Sequence, residues 1–401
     1  MRVRRCAVVF LEPREEIGFD LSSLLSGGAG LRRQRRWLAL AAHLDGEIEI
    51  DADERELLGR LSPGEWSSTE TLAEAPPAAL ERLLALGLLI GEDPAHAGHR
   101  ERDQRLRDGH WWPASAMLHR LARWEGVDGV ADMEAKDMTT VSGLLDKLGA
   151  PPPPVHERVP AAQRIALPEI APGEFDALLA RRATCRNFDR ERPLPQHLFA
   201  HMLQRTFAAQ AQLRTHDDAV FLKKHTPSAG GLHPTEAYLV VQNVEGVAPG
   251  LYHYHPVAHA LEPLPPPNEA LAAFALRALA GQHWFAGAPV LAVLAPRYAR
   301  CFWKYRHHAK AYRALVLDSG HLSQTLYLSA TELGLGAFVT CAVNEVDIER
   351  AFGLDPLIEG PLAVCGFGWR SAERSTAEFD PGGAVWAPEA GFERAPDRPE
   401  G

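Results

Sequence analysis

Arg181-Arg182-Ala183-Thr184-Cys185-Arg186 sets three guanidinium groups within six residues. Such forks close around a dianionic phosphate through charge-assisted, often bidentate bonds. About forty residues later comes Pro227-Ser228-Ala229-Gly230-Gly231-Leu232-His233-Pro234. Its glycines have no Cβ to keep a flat ring away from the backbone. Together the two motifs point to a site for a phosphorylated aromatic cofactor, and neither would suffice alone.

Other clusters carry less. His253-x-His255 has the spacing to put two imidazoles on one strand face, as metal ligands require. No third ligand set accompanies the pair, so it is read as structural and no metal is expected. Neither a Gly-x-Gly-x-x-Gly dinucleotide fingerprint nor a Walker phosphate loop occurs.

The elements that must hold these motifs belong to a chain of 401 residues, enough for two or three domains. Its composition, 46% hydrophobic and 23% charged, supports a sizeable core. A net charge of −10 argues against nucleic acid as a partner. The basic run Arg32-Arg33-Gln34-Arg35-Arg36 is read as a solvated helix face. Arg2, Arg4 and Arg5 precede an apolar run too short for a signal-peptide core, and no stretch is long enough to span a bilayer. Five cysteines, odd in number and without a Cys-x-x-Cys pair, fit a reducing cytoplasm.

Pro151-Pro152-Pro153-Pro154 and the proline-spaced chain up to Pro172-Gly173 favour stiff extended backbone. They divide the protein into an N-terminal region (1–130), a linker (131–172), a large domain (173–385) and a tail (386–401). Within the first region, 46–92 reads as strand, helix, helix, strand, a winged-helix-like pattern. Glu47-Ile48-Glu49-Ile50 alternates, Asp51 or Asp53 is placed to cap a helix, and Gly87 to end the second one. Residues 105–125, with Trp111, Trp112, Leu118, Leu121 and Trp124, suggest a helix that docks an aromatic face. Beyond the linker, strands are expected at 237–241, 250–255, 260–263, 289–295, 337–341 and 361–365, and the longest helix at about 307–333. Strands and long helices without strict βαβ alternation imply an α+β fold, a mixed sheet packed by helices.

Within about residues 170–370, several motifs follow one another in order. They are Arg-Arg-x-Thr-x-Arg-x-Phe, Pro-Ser-Ala-Gly-Gly-Leu-x-Pro, Gly-Leu-Tyr-His-Tyr, Lys-Tyr, Gly-His-Leu-x-Gln and Gly-Leu-Gly-Ala. This order resembles the SagB-type dehydrogenases, flavin-dependent members of the nitroreductase superfamily. The resemblance implies an FMN-binding α+β fold that forms a homodimer with the flavin at the subunit interface. Known members include azoline oxidases, which convert thiazoline or oxazoline rings of ribosomally made peptides to azoles.

By the same resemblance, Arg181, Arg182, Thr184 and Arg186 would hold the FMN phosphate and ribityl chain. Pro227, Ser228, Ala229, Gly230 and Gly231 would line the isoalloxazine edge. Gly336, Thr340, Cys341 and Arg370 would be further cofactor contacts. Lys304-Tyr305 matches the lysine–tyrosine pair that azoline oxidases use for catalysis. A lysine desolvated by a flavin has its pKa lowered towards that of a useful base, and Tyr305 would assist. His307 or His308 is the alternative base.

The chain departs from the family where Val339-Thr340-Cys341-Ala342 replaces a proline and glycines. Serine is usual where Thr184 stands. In this context the N-terminal unit resembles small domains that bind the leader of a precursor peptide as an added strand, and a cyclodehydratase becomes a possible partner. Two alternatives stand beside this reading: an NAD(P)H-dependent nitro- or quinone reductase, and a non-catalytic scaffold.

Overall fold

The residue pattern of the N-terminal region forms its elements for local reasons. In chain order they are β1 (Arg2–Arg5), β2 (Val9–Phe19), α1 (Leu21–Leu25), β3 (Leu31–Ala41), β4 (Glu47–Ile50) and α2 (Ala52–Arg60). Then come β5 (Ser67–Ser68), α3 (Pro77–Ala85), β6 (Leu89–Gly91), α4 (Ala97–Asp108) and α5 (Pro113–Ala122). Asp51 starts α2 with a capping box: its carboxylate accepts the Glu54 N–H at 2.8 Å, and Glu54 accepts the Asp51 N–H at 3.0 Å. Leu57 and Leu58 then meet Leu83, Leu84 and Ile90 in one core. Proline at the first turn suits α3, and Gly87 follows it at φ 75°.

The computed structural model describes residues 1–387, so the tail expected at 386–401 lies almost wholly outside the described residues. Two compact units emerge. One comprises Met1–Arg123 with Arg297–Ala314 and Asp355–Ile358. The other comprises Trp124–Pro296, Leu315–Leu354 and the chain from Glu359 onward.

In the first unit the strands form two three-stranded sheets, ordered β2-β3-β4 and β5-β1-β6. The strand–helix–helix–strand run of 46–92 is present, its two strands lying in different sheets. The basic run 32–36 is strand and not helix, a correction to the sequence expectation. Pairing of β3 with β2 sets Arg33 and Arg35 at 2.9 and 3.3 Å from Glu15, and Arg36 reaches Glu16 and Glu49. Cross-strand charge pairs of this kind support a ladder, and an all-polar run carries no period to announce it. The helix expected over 105–125 is two helices, broken at His110 (φ 54°) before Pro113. Trp111 is buried, whereas Leu118 and Leu121 are exposed.

The second unit continues with α6 (Gly129–Ala135), α7 (Val141–Leu148), α8 (Glu174–Arg181), α9 (Gln196–Thr206), β7 (Ala211–His216), β8 (Ala219–Lys223) and β9 (Thr235–Val241). Next are β10 (Gly250–His255), β11 (Ala260–Pro263), α10 (Leu271–Ala278), α11 (His283–Ala286) and β12 (Val290–Pro296). After α12 (Tyr298–Phe302), in the first unit, come α13 (Ala311–Glu332), β13 (Gly336–Thr340), α14 (Glu345–Phe352) and β14 (Ala363–Gly368).

Six strands pair antiparallel in the order β11-β10-β9-β12-β14-β13, and one isolated parallel bridge joins Thr184 to Ala337 at the β13 edge. Leu239, Val241 and Ala292 face one core, with Phe199 of α9 and Leu326 of α13. Val240, Leu291 and Val293 face the other, with Phe274 of α10 and Ile348 of α14. Helices on both faces explain why β12 and residues 237–241 of β9 read as unbroken apolar runs. Gly366 is forced by close approach: a Cβ there would collide with the Phe338 ring, itself stacked on Phe285 at 4.0 Å.

Candidate functional site

The arginine motif leaves α8 as extended chain, and its residues alternate in burial. Ala183, Cys185 and Asn187 point inward, while Arg182, Thr184 and Arg186 share the opposite face. The segment is tied to β13 by the Cys185 N–H donating to the Ala337 carbonyl at 2.8 Å. Gly336 permits this contact, since a Cβ there would lie 2.6 Å from Cys185 Sγ and 2.9 Å from Arg370 Cγ.

Thr184 Oγ1 lies 3.1 Å from the Tyr327 hydroxyl, which also accepts the Val339 N–H at 3.1 Å. The Arg182 guanidinium sits 5.4 Å from the Tyr327 ring centroid. Arg186 lies over Phe285 and donates to the Ala377 carbonyl at 3.3 Å. None of the guanidinium groups of Arg181, Arg182 and Arg186 forms an ion pair with a carboxylate among the described residues. Arg182 and Arg186, on one face and without a counter-charge among the described residues, are donors of the kind that suits a phosphate, and Arg181 stands exposed at the end of α8 beside them in sequence.

Arg370 is placed differently. Its guanidinium donates to Glu378 Oε2 at 2.7 Å and to the Ala183 carbonyl at 2.7 Å, so its donors brace the motif from behind. Glu378 is buried, and its Oε1 accepts the backbone N–H groups of Arg186 and Asn187 at 2.5 and 2.9 Å. Burial would raise the Glu378 pKa, but hydrogen bonds from Trp386, Arg186 and Asn187, with the charge of Arg370, hold it below the usual carboxylate range.

The Pro227–Gly231 turn passes through Gly230 and Gly231 at φ 62° and 68°, a region that glycine enters without strain. A Cβ on Gly231 would meet nothing within 4 Å, so its backbone is bare on that side. The turn is anchored by Asp318 of α13. Ser228 Oγ donates to Asp318 Oδ2 at 2.5 Å, the Ala229 N–H donates to Oδ1 at 3.1 Å, and Ser228 Oγ accepts the His233 N–H at 3.0 Å. Burial raises the Asp318 pKa against these two bonds.

Asp318 and Tyr327 stand nine residues apart on one helix, about 13 Å along its axis. One rigid element therefore holds both motifs. Neither residue was singled out from sequence; the Gly-His-Leu-x-Gln motif between them was the available signal.

Thr340 spends its hydroxyl locally, donating to Gln282 Oε1 at 3.1 Å and accepting the Ala342 N–H at 3.2 Å. Cys341 is exposed. His253 is clasped by Glu262 at 2.7 Å and Glu236 at 3.4 Å, and His255 Nδ1 accepts the Ala258 N–H. No group of three residues among those described could hold a metal ion.

Lys304 and Tyr305 belong to the first unit, in the turn after α12. Their N–H groups donate to the Cys301 carbonyl at 3.3 and 3.2 Å. Lys304 is exposed, its Nζ 5.6 Å from the Tyr305 ring centroid. His308 Nδ1 accepts the Lys310 N–H at 3.0 Å.

The signature of the nitroreductase family matches residues 179–369. A protein of Methanocaldococcus jannaschii named for the nitroreductases, MJ1384, is 34% identical over 200 residues, covering 49% of this chain and 94% of the relative. The chain belongs to the nitroreductase family. The trifolitoxin-processing protein TfxB of Rhizobium leguminosarum bv. trifolii is 25% identical over 316 residues, 74% of this chain and 82% of the relative. The microcin B17-processing protein McbC of Escherichia coli is 29% identical over 152 residues, 37% of this chain and 54% of the relative. A solved structure, the E. coli microcin synthetase McbBCD complex with truncated pro-MccB17 bound, overlaps 67% of this chain and 94% of its own at 19% identity and a TM-score of 0.46. Among the described residues no helix is long and apolar enough to cross a membrane.

Proposed function

We propose that this nitroreductase-family protein is an FMN-dependent dehydrogenase of the SagB type that matures a ribosomally made peptide, most concretely by oxidising thiazoline or oxazoline rings to azoles. One observation carries the reading: likeness to the trifolitoxin-processing protein runs over 316 residues, well beyond the family span of 179–369. A relative shared for flavin chemistry alone would have no reason to match there. The likeness to the microcin B17-processing protein supports the same class of substrate.

In this reading Arg181, Arg182 and Arg186 bind the phosphate of FMN, and Thr184, held by Tyr327, faces the same side. The bare backbone of Gly230 and Gly231 accommodates the ring. FMN, when bound, supplies the two-electron acceptor for the hydride that leaves one ring carbon. Lys304 takes the proton from the neighbouring carbon, and Tyr305 orients or relays it. The homodimer, leader recognition by the N-terminal region and a cyclodehydratase partner belong to this proposal too.

Replacing Lys304 with Ala should leave FMN binding intact and lower turnover by about 10²–10⁴-fold, the usual worth of a positioned base. Mass spectrometry of a peptide carrying one thiazoline reads the loss of two hydrogens; unchanged turnover removes Lys304 from the mechanism. The MJ1384 relative, matched over 94% of its own length but 49% of this chain, favours a second reading as an NAD(P)H-dependent reductase of small molecules. Rapid bleaching of bound flavin by NAD(P)H would select it.

A further inference from the structure

The turn bearing Lys304 and Tyr305 is gripped at three points by residues 110–119 of its own unit. Before the turn, Tyr298 and Phe302 of α12 pack their rings on buried Trp111, with centroids 4.6 and 4.9 Å apart. After it, buried His119 donates from Nε2 to the Pro356 carbonyl at 2.8 Å, while its Nδ1 faces the Tyr312 hydroxyl at 3.2 Å. At the turn itself stands His307. Its backbone N–H donates to the His110 carbonyl at 3.0 Å, and its Nδ1 lies 3.0 Å from the Trp111 carbonyl. A carbonyl only accepts, so Nδ1 carries the proton.

Backbone strain marks the same place. His110 and His307 lie at φ 54° and 51°, a left-handed region that strains a residue with a Cβ. Their rings meet edge to face at 5.8 Å. Two strained residues facing each other persist only where their surroundings over-determine them. Lys304 has little else to orient it. Its side chain is exposed, and the turn's own hydrogen bonds to Cys301 are long, at 3.2 and 3.3 Å.

We infer that His307 is a positioning residue: its backbone N–H and Nδ1–H moor the Lys304–Tyr305 turn to the corner between α4 and α5. The N-terminal region thereby sets the orientation of the acid–base pair, besides any part it has in binding peptide. The inference rests on the proposed role of Lys304. Its physical weight comes from geometry, since misplacing a reacting group by about 1 Å can cost about 10²-fold in rate.

The test compares His307→Ala with His307→Asn in the flavin-loaded full chain. Asparagine enters the left-handed region more readily than most residues, and its amide N–H can replace Nδ1–H. Two readouts are taken: limited trypsin cleavage after Lys304 and Arg306, and kcat and KM on a synthetic peptide carrying one thiazoline.

His307→Ala should speed cleavage at both sites and lower kcat about 10–100-fold, with KM and flavin content unchanged. His307→Asn should restore most of both. Wild-type cleavage in His307→Ala would overturn the mooring. Loss of kcat in both variants with wild-type cleavage would make the imidazole itself the required group, which also overturns it. If Lys304→Ala turns over normally, the catalytic reading fails, while cleavage still decides the mooring.

Discussion

Glu378→Gln tests how the arginine motif is held. Glu378 Oε1 accepts three N–H groups: Arg186 N at 2.5 Å, Asn187 N at 2.9 Å and Asn187 Nδ2 at 2.9 Å. Oε2 accepts two, from Arg370 and from Trp386 Nε1, each at 2.7 Å. All five partners are donors, so a carboxylate suits the position and an amide does not. Whichever way a glutamine is turned, its NH₂ group faces at least two N–H groups. Arg370, its side chain only 17% exposed, also loses its counter-charge. Breaking one side of a buried ion pair costs about 3–5 kcal/mol, against about 5–15 kcal/mol for a whole domain.

Urea unfolding of Glu378→Gln should show the unfolding free energy lowered by that amount, as a lower midpoint at unchanged slope. FMN titration should show weaker binding, because the backbone of Arg186 is tied to the same oxygen. The acid limb supplies a second reading. Since the folded pKa of Glu378 is depressed, its contribution is present above the unfolded value, about 4.3, and is lost as pH falls through the folded value. The variant should therefore lose stability near neutrality and show a flatter acid limb. A wild-type midpoint together with a wild-type acid limb would refute the account of Glu378 as an ionised hub.

Tyr327→Phe removes the acceptor of the Val339 N–H and the partner of Thr184. It should cost about 1–3 kcal/mol in denaturant unfolding and loosen FMN, read by fluorescence titration. His253 has a pKa raised by its hydrogen bond to Glu236, opposed by burial and reinforced by Glu262. Its contribution is full below the unfolded value, about 6.5, and fades as pH rises through the folded value. His253→Gln should thus be less stable than wild type by up to about 1 kcal/mol at pH 5, and the gap should narrow towards pH 9 in thermal unfolding at matched ionic strength.

Local order was legible wherever a period or a cap announced it. The capping box at Asp51, the unbroken apolar runs of β12 and of residues 237–241 in β9 and the glycines of the Pro227–Gly231 turn each state their conformation within a few residues. The basic run at 32–36 was misread because cross-strand pairing with Glu15 and Glu16 leaves no signature in the run itself. The longest helix starts at Ala311 and not near His307, since His307 adopts a left-handed conformation to meet His110, a residue almost two hundred positions earlier.

The candidate site divides along the same line. Arg181, Arg182, Thr184 and Arg186 carry the residue types and spacing that the proposed phosphate site calls for, because guanidinium groups and alternation are properties of neighbouring residues. What orients them is remote in sequence: Tyr327 behind Thr184, Glu378 under Arg186, and Asp318 beneath Ser228. A buried carboxylate becomes a hub only when five donors from separate segments converge on it, and only the folded chain brings them there. Sequence alone thus determined which charged groups the chain sets side by side, and tertiary structure decided which of them, like Arg370 on Glu378, are paired with a buried carboxylate, because such pairing needs segments far apart in the chain.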